Sequence, residues 1–192
     1  LDDASWQVVT VPHDWAIAGP FDPNAKAAGE NGFLPSGVAW YRKTLDLTPQ
    51  PGRRYFIEFD GIMERSGVWV NGHHIGYRPM GYVSQRYDMT RHLRADGHNV
   101  IAVRADTSAA PSSRWYTGSG IYRRVRLIET DDVHIPQGGA YVRATAISDA
   151  QATIAVTTDV QNDAGAATDI KVELLLTDPA GREVARTVTV SY

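Results

Sequence analysis

The chain has 192 residues, 43% of them hydrophobic and 21% charged, and a formal net charge of −3 from 19 Lys+Arg and 22 Asp+Glu. That describes an ordinary globular chain long enough for one large β domain, or for one domain plus part of another. The near-neutral balance gives no global field toward nucleic acid or an anionic membrane, no apolar run approaches the ~20 residues of a membrane helix, and the absence of cysteine excludes a disulfide framework.

The chain opens on Leu1 without a basic-then-apolar leader. This reads as a trimmed fragment, or as a chain from which a signal peptide has gone. The first block, WQVVTVPHDW, reads as a strand that ends at Pro12 and places Asp14 between His13 and Trp15. Prolines and glycines then punctuate an irregular excursion from Pro12 to Gly37. A loop of that length in a compact domain is functional or disordered, and Trp15, Phe21, Phe33 and Leu34 argue against disorder because burying such side chains is favourable.

From Val38 onward the periodicity is two. Tyr41, Leu45 and Leu47 share one face of WYRKTLDL, and Tyr55, Ile57 and Phe59 share one face of YFIEFD. Glu58, opposite in phase, reads as solvent-facing. Asn71-Gly72 between VWV and HHI tolerates the two positive φ values of a type I′ turn and marks a hairpin. Its His73 and His74 are sequential on a strand, so they point to opposite faces and cannot chelate one ion together. Asp88 to Gly97 has room for one helical turn, and Val100 to Ala105 alternate again. The run SRWYTGSGIYRRVRL then begins as a stiff, exposed turn and ends as a strand with Val125 and Leu127 on one face. Arg123, Arg124 and Arg126 read as a solvated strand face, because no aromatic stacking platform is interleaved with them.

A boundary lies between Thr130 and Pro136, where aromatic residues become sparse: only Tyr141 and Tyr192 follow. The expected organisation is a domain over 1–131 and a second, Ala/Thr/Val-rich β-sandwich over 132–192 with about four strands, ATIAVTTDVQN, IKVELLLTD and EVARTVTVSY among them. Such a sandwich usually has seven strands. The second domain therefore reads as cut short, with Val172, Leu174 and Leu176 lacking a partner sheet.

Familiar catalytic signatures fail. Gly118-Ser119-Gly120 lacks the spacing of a nucleophile elbow and the Gly-Lys-Ser/Thr of a phosphate loop. The glutamates (30, 58, 64, 129, 173 and 183) are scattered singly. Two stretches stand out: Asp14 with Trp15, and Arg114, Trp115 and Tyr116 ahead of the glycines. Carbohydrate sites need this mixture, an aromatic face for the C–H side of a sugar and charged groups for its hydroxyls. The competing reading makes both tryptophans core residues and has Asp14 satisfy loop amides. Composition alone favours the second.

Five blocks taken in order, WQVVTVPHDW, VAWYRKTLDL, FDGIMERSGVWVNGHHIGY, YDMTRHLRADGHNVIAVRAD and SRWYTGSGIYRRVRL, resemble the sugar-binding jelly-roll domain of glycoside hydrolase family 2. The RWYTGSGIYR form most resembles the β-galactosidases of that family, ahead of its β-glucuronidases and β-mannosidases. The segment from Asp132 onward resembles the immunoglobulin-like domain that follows. The resemblance implies an all-β architecture: a jelly roll over 1–131, lacking its first strand or strands, and a truncated immunoglobulin-like sandwich over 132–192.

It also implies a function. The jelly roll packs on a (β/α)8 barrel elsewhere in the same polypeptide and lends loops to its active site, where terminal β-galactosyl residues are hydrolysed with retention by two glutamates. Asp14 and Arg114 are then the substrate-binding candidates, with Trp15 and Trp115 as walls. One departure stands: several members carry an acidic residue at the position of Arg114, and an arginine donates to hydroxyls without accepting from them. The acid/base glutamate belongs to an Asn-Glu pair, and no such dipeptide occurs here, so these residues alone are expected to hydrolyse nothing. No cofactor or metal is expected in this chain. The expected partners are carbohydrate and the barrel, with a homo-oligomer open and neither nucleic acid nor membrane. A glycan-degrading parent points to the periplasm or the exterior over the cytoplasm. A stand-alone carbohydrate-binding module is the principal alternative, and an adhesion module is the third.

Overall fold

The computed structural model describes residues 2–191, and Leu1 and Tyr192 lie outside the described residues. The chain divides into two compact units, at Asp131/Asp132.

The first unit holds seven strands: β1 (Val38–Asp46), β2 (Arg53–Phe59), β3 (Ser66–Val70), β4 (His73–Arg78), β5 (Gln85–Asp88), β6 (His98–Asp106) and β7 (Val125–Asp131). All pair antiparallel, in a four-stranded sheet ordered β1-β6-β3-β4 and a three-stranded sheet ordered β5-β2-β7. The core between the sheets takes the residues that period two selects: Tyr55, Ile57 and Phe59 from β2, Val68 and Val70 from β3, Ile101, Val103 and Ala105 from β6. Tyr41, Leu45, Leu47 and Val125 pack against this cluster, whereas Leu127, beyond its edge, stays half exposed. The Asn-Gly hairpin forms as expected, with φ of 51° at Asn71 and 86° at Gly72. His73 stacks on His92 and His74 leans on Trp69, so the two imidazoles do part to different neighbours. The turn expected after Asp88 is a short 3₁₀ helix at Thr90–His92.

Polar side chains weld these turns together. Fully buried Asn99 donates to the carbonyls of Leu47 (2.8 Å) and Gly97 (3.1 Å), and its Oδ1 accepts from the Arg94 amide and from Asn71 Nδ2. Every hydrogen-bonding atom of the buried amide side chain is used, the condition for burying it cheaply.

Three expectations need correction. Glu58 does not face solvent: it is 7% exposed. Because β2 is the central strand of its sheet, arginines stand opposite Glu58 on both neighbours. Arg86 Nε donates to one carboxylate oxygen at 2.8 Å and Arg126 to the other at 3.0 Å. Second, among the described residues no strand precedes Pro12, because residues 7–10 lie outside every ladder and Val8 is almost fully exposed. Third, Phe21 and Phe33 do not anchor the long excursion: Phe21 is 74% exposed, and Phe33 is exposed as well. Its order comes instead from buried Ala16, Ala27 and Leu34 and from polar ties. The Lys26 ammonium donates to the Ser108 carbonyl at 2.7 Å, and Thr107 exchanges hydrogen bonds with the Gly37 backbone.

The second unit contains β8 (Val133–His134), β9 (Ala140–Ile147), β10 (Ala152–Thr158), β11 (Gln161–Asn162), β12 (Ile170–Thr177) and β13 (Glu183–Ser191). They pair as three separate two-stranded antiparallel sheets, β9-β10, β8-β11 and β12-β13. Val172 and Leu174 are half-buried and Leu176 is exposed, and among the described residues of this unit no large apolar side chain is fully buried.

Asp106, at the end of β6, anchors the turn beneath the long excursion. Its burial opposes ionisation, yet the Ser108 hydroxyl and amide and the Arg104 guanidinium outweigh that cost and hold its pKa down at about 2. A carboxyl whose folded pKa lies below its unfolded value of about 4 stabilises the fold above that pH, and the contribution fades as pH falls toward the folded value. The melting temperature of Asp106→Asn should therefore fall below that of the unsubstituted protein at pH 6, and thermal scans should show the gap narrowing between about pH 4 and pH 2.

Candidate functional site

At one end of the first unit, two segments far apart in sequence run side by side. The His13 amide donates to the Ile121 carbonyl at 2.7 Å and the Trp15 amide to the Ser119 carbonyl at 3.0 Å. On its other side the 113–121 segment bridges residue 63: the Met63 and Gly120 backbones exchange hydrogen bonds at 2.9 and 2.7 Å. Gly118, Ser119 and Gly120 are all buried by this arrangement.

Two glycines are needed there. Gly118 and Gly120 have φ of 98° and 107°, which side-chain-bearing residues rarely adopt. A Cβ at Gly120 would lie 2.0 Å from the Tyr41 hydroxyl oxygen. That hydroxyl is hydrogen-bonded to His13 Nδ1 at 3.0 Å, so the ring cannot simply swing aside.

The Asp14 carboxylate joins the segments. Oδ1 accepts from the Ala16 amide at 3.1 Å and from the Tyr116 hydroxyl at 2.6 Å, and Oδ2 accepts from the Ser119 amide at 3.1 Å. Burial, reinforced by hydrogen bonding to Asp14, raises the Tyr116 hydroxyl well above the ordinary tyrosine range, so it remains a donor at any physiological pH.

The four residues singled out from the sequence do not form one cluster. Asp14 is half-buried and engaged with its own chain. Trp15 turns its ring against Gly37 and into a cleft of about 600 Å³ shared with Trp6, Trp40, Tyr41 and Arg42, and its indole N–H is buried without a hydrogen-bond partner. Arg114 is exposed. Trp115 is 62% exposed, and its indole N–H points to the hydroxyl of Tyr82 at 3.4 Å. Tyr82 is itself 45% exposed and belongs to the β4–β5 loop, which the Tyr122 hydroxyl fastens by donating to the Gly81 carbonyl at 3.1 Å. Nothing in the sequence marked Tyr82, whose approach to Trp115 depends on loops 33 residues apart. Tyr116 had a signal, its place directly ahead of the glycines. Arg123 and Arg124 are exposed as expected, while Arg126 forms a forked pair with Asp60 at 2.6 and 2.8 Å. Among the described residues no group of three or more His, Asp or Glu side chains has the arrangement of a metal site.

A second cleft, of about 460 Å³, opens between the edge strands β1 and β7 and exposes core residues Ile57, Phe59, Ile101 and Val103 to its interior.

With this geometry in hand, the comparisons with known proteins are specific. The family model described as the glycosyl hydrolase 2 galactose-binding domain-like domain matches residues 25–166. A beta-galactosidase from Bacteroides ovatus is 42% identical over 186 residues, which cover 96% of this chain and 22% of that protein. The chain belongs to glycoside hydrolase family 2. A beta-glucuronidase from Formosa agariphila is 30% identical over 207 residues, covering 96% of this chain and 21% of that protein. Among solved structures, a beta-glycosidase from Bacteroides vulgatus superposes with a TM-score of 0.92 at 36% identity, over all of this chain and 25% of its own. This family 2 chain thus spans about a fifth to a quarter of the length of these relatives, and its fold is that of the family's galactose-binding-like domain.

The glycine pair gives a direct check on the geometry. Gly120→Ala should destabilise the protein by at least about 2 kcal/mol, from the positive φ and the Tyr41 overlap together, as read by urea unfolding. An unchanged unfolding midpoint would show that the two segments are not packed this closely.

Proposed function

We propose that this chain is the accessory, sugar-facing portion of a retaining β-galactosidase whose catalytic glutamates lie elsewhere in the polypeptide. The observation that carries the reading is family membership together with the exposed loop end around Trp115. Galactosidase and glucuronidase relatives both match, and we take the former as parent on the 42% identity to a beta-galactosidase, set against 34% to a putative beta-glucuronidase and 30% to a beta-glucuronidase. Within that reading Trp115 and Arg114 face the glycan, while Trp15 acts as a wall only of the cleft it shares with Trp6 and Trp40.

The surface beside the site supports an accessory role over a free-standing module. Tyr77, Met80 and Val83, on β4 and the loop after it, are large apolar side chains left exposed close in sequence to Tyr82. We read these side chains as part of a surface that another covers. The catalytic barrel of the same polypeptide is the partner we assign to it. The apolar cleft between the edges of β1 and β7 has a related explanation: it receives a further strand of the jelly roll from the same polypeptide, which would pair with one of these edges. The second unit is read as part of an immunoglobulin-like sandwich, which agrees with its thinly covered Val172, Leu174 and Leu176.

The test is a substrate series. The full-length polypeptide, assayed with nitrophenyl β-galactoside, β-glucuronide and β-mannoside, should show its highest kcat/KM on the galactoside. A higher value on the glucuronide would reassign the substrate, and turnover of none of them would remove the enzymatic reading.

A further inference from the structure

We propose that the outer face of the four-stranded sheet binds a neutral oligosaccharide chain, which stacks on Trp40 and Trp69. Strand alternation places both rings there. Tyr41, Val68, Val70 and Val103 turn to the core, so Trp40 and Arg42 of β1, Ala102 and Arg104 of β6 and Trp69 of β3 stand on the opposite face. An antiparallel sheet with one face on its core ordinarily turns polar residues outward. Here two indoles share the outer face, and Trp40 is 47% exposed. They rest on small residues. Trp40 pairs across the ladder with Arg104, Arg104 with Gly67, and Trp69 stands opposite Ala102. Trp69 fills the space that Gly67 leaves: a Cβ at that position would lie 2.5 Å from the indole carbon Cη2. Trp69 thereby meets Trp40 from two strands away, with ring centroids 5.1 Å apart and an interplanar angle of 39°. On the other side the exposed His74 ring braces Trp69 at 4.9 Å.

The chemistry of this face selects its occupant. Flat indole surfaces match the C–H face of a pyranose ring. Both arginines of the face are answered within the chain, Arg42 by Asp3 and Arg104 by Asp106 at 2.7 Å. A guanidinium has five N–H donors, more than one carboxylate takes up, so the margins can still donate to sugar hydroxyls. With each positive charge matched by a carboxylate, the two pairs add no net attraction for an anion, which favours a neutral saccharide over a uronate chain or a nucleic acid strand. The open shape favours a chain over a single sugar. One ring laid on an exposed indole stays half in solvent, whereas a chain covers both indoles and continues past Trp40 into the cleft that Trp6 also lines. Tyr77 of β4, opposite Gly67, marks where the barrel contact begins, and the saccharide surface runs the other way, from Trp69 across β6 to β1. Binding there does not depend on which glycoside the parent cleaves.

The experiment titrates the full-length polypeptide with cellotetraose, xylotetraose and mannotetraose, read by calorimetry and by tryptophan emission, with no turnover required. A neutral tetraose should bind and change the emission, and its parent monosaccharide should bind at least about tenfold more weakly. Tetragalacturonate should bind more weakly than that tetraose. Trp69→Ala should weaken the tetraose about tenfold. Because losing that ring also removes a contact between strands, Gly67→Ala gives a second reading: both indoles stay, Trp69 is displaced, and affinity should fall several-fold. Trp115→Ala should leave the tetraose affinity unchanged. If no neutral tetraose binds, another part of the polypeptide covers the face and the proposal is overturned. It is equally overturned if Trp69→Ala and Gly67→Ala both bind as the unsubstituted protein does, or if Trp115→Ala abolishes binding, which would assign the chain to the loop end. Tighter binding of tetragalacturonate, or a monosaccharide affinity equal to that of the tetraose, would overturn the choice of a neutral chain.

Discussion

One half-buried carboxylate has to satisfy two stretches of chain more than a hundred residues apart in sequence. Asp14 receives Tyr116 and Ser119 from one stretch and Ala16 from its own, and without it two amides and a phenol would lose their partner together. The other features of this end of the sandwich are fitted to that junction. Gly118 and Gly120 take positive φ so that the chain can turn under it, the space a side chain at Gly120 would need is held by Tyr41, and Met63 closes the far side.

The sheets supply the rigid base. Packed β2, β3 and β6 hold the core, and their turns are pinned by buried polar groups whose hydrogen-bonding atoms are engaged, Asn99 with Asn71 being the clearest case. Glu58, between Arg86 and Arg126, does the same across the three-stranded sheet: partners on both sides offset the desolvation of its charge. Loops mounted on such a frame can expose aromatic side chains without losing their arrangement. Trp115 and Tyr82 illustrate this, being both exposed and placed.

Much of the frame was legible in the sequence, for reasons of local physics. Tyr55, Ile57 and Phe59 alternate because one face of β2 is core, and Asn71-Gly72 suits a turn that other residues resist. What could not be read depended on which chains become neighbours. Glu58 looks solvent-facing until Arg86 and Arg126 arrive from the flanking strands. WQVVTV has the composition of a strand, yet residues 7–10 have no ladder partner among the described residues. Phe21 and Phe33 suggest burial by type alone, while the order of their loop comes from smaller residues and backbone ties. At the site, Asp14 satisfies loop amides, as the plainer reading held, whereas Trp115 departs from that reading in not being a core residue. Tyr82 became visible only through the contact it makes.

The frame is that of the family's galactose-binding-like domain, and Asp14 ties two of its loop segments together. The most direct measurement is a crystal structure of the full-length polypeptide with a galactose-configured inhibitor bound. Our account has the sugar lying against the loop end that carries Arg114 and Trp115, in a cleft completed by residues elsewhere in the polypeptide. A structure in which Trp115 lies far from the ligand would contradict it.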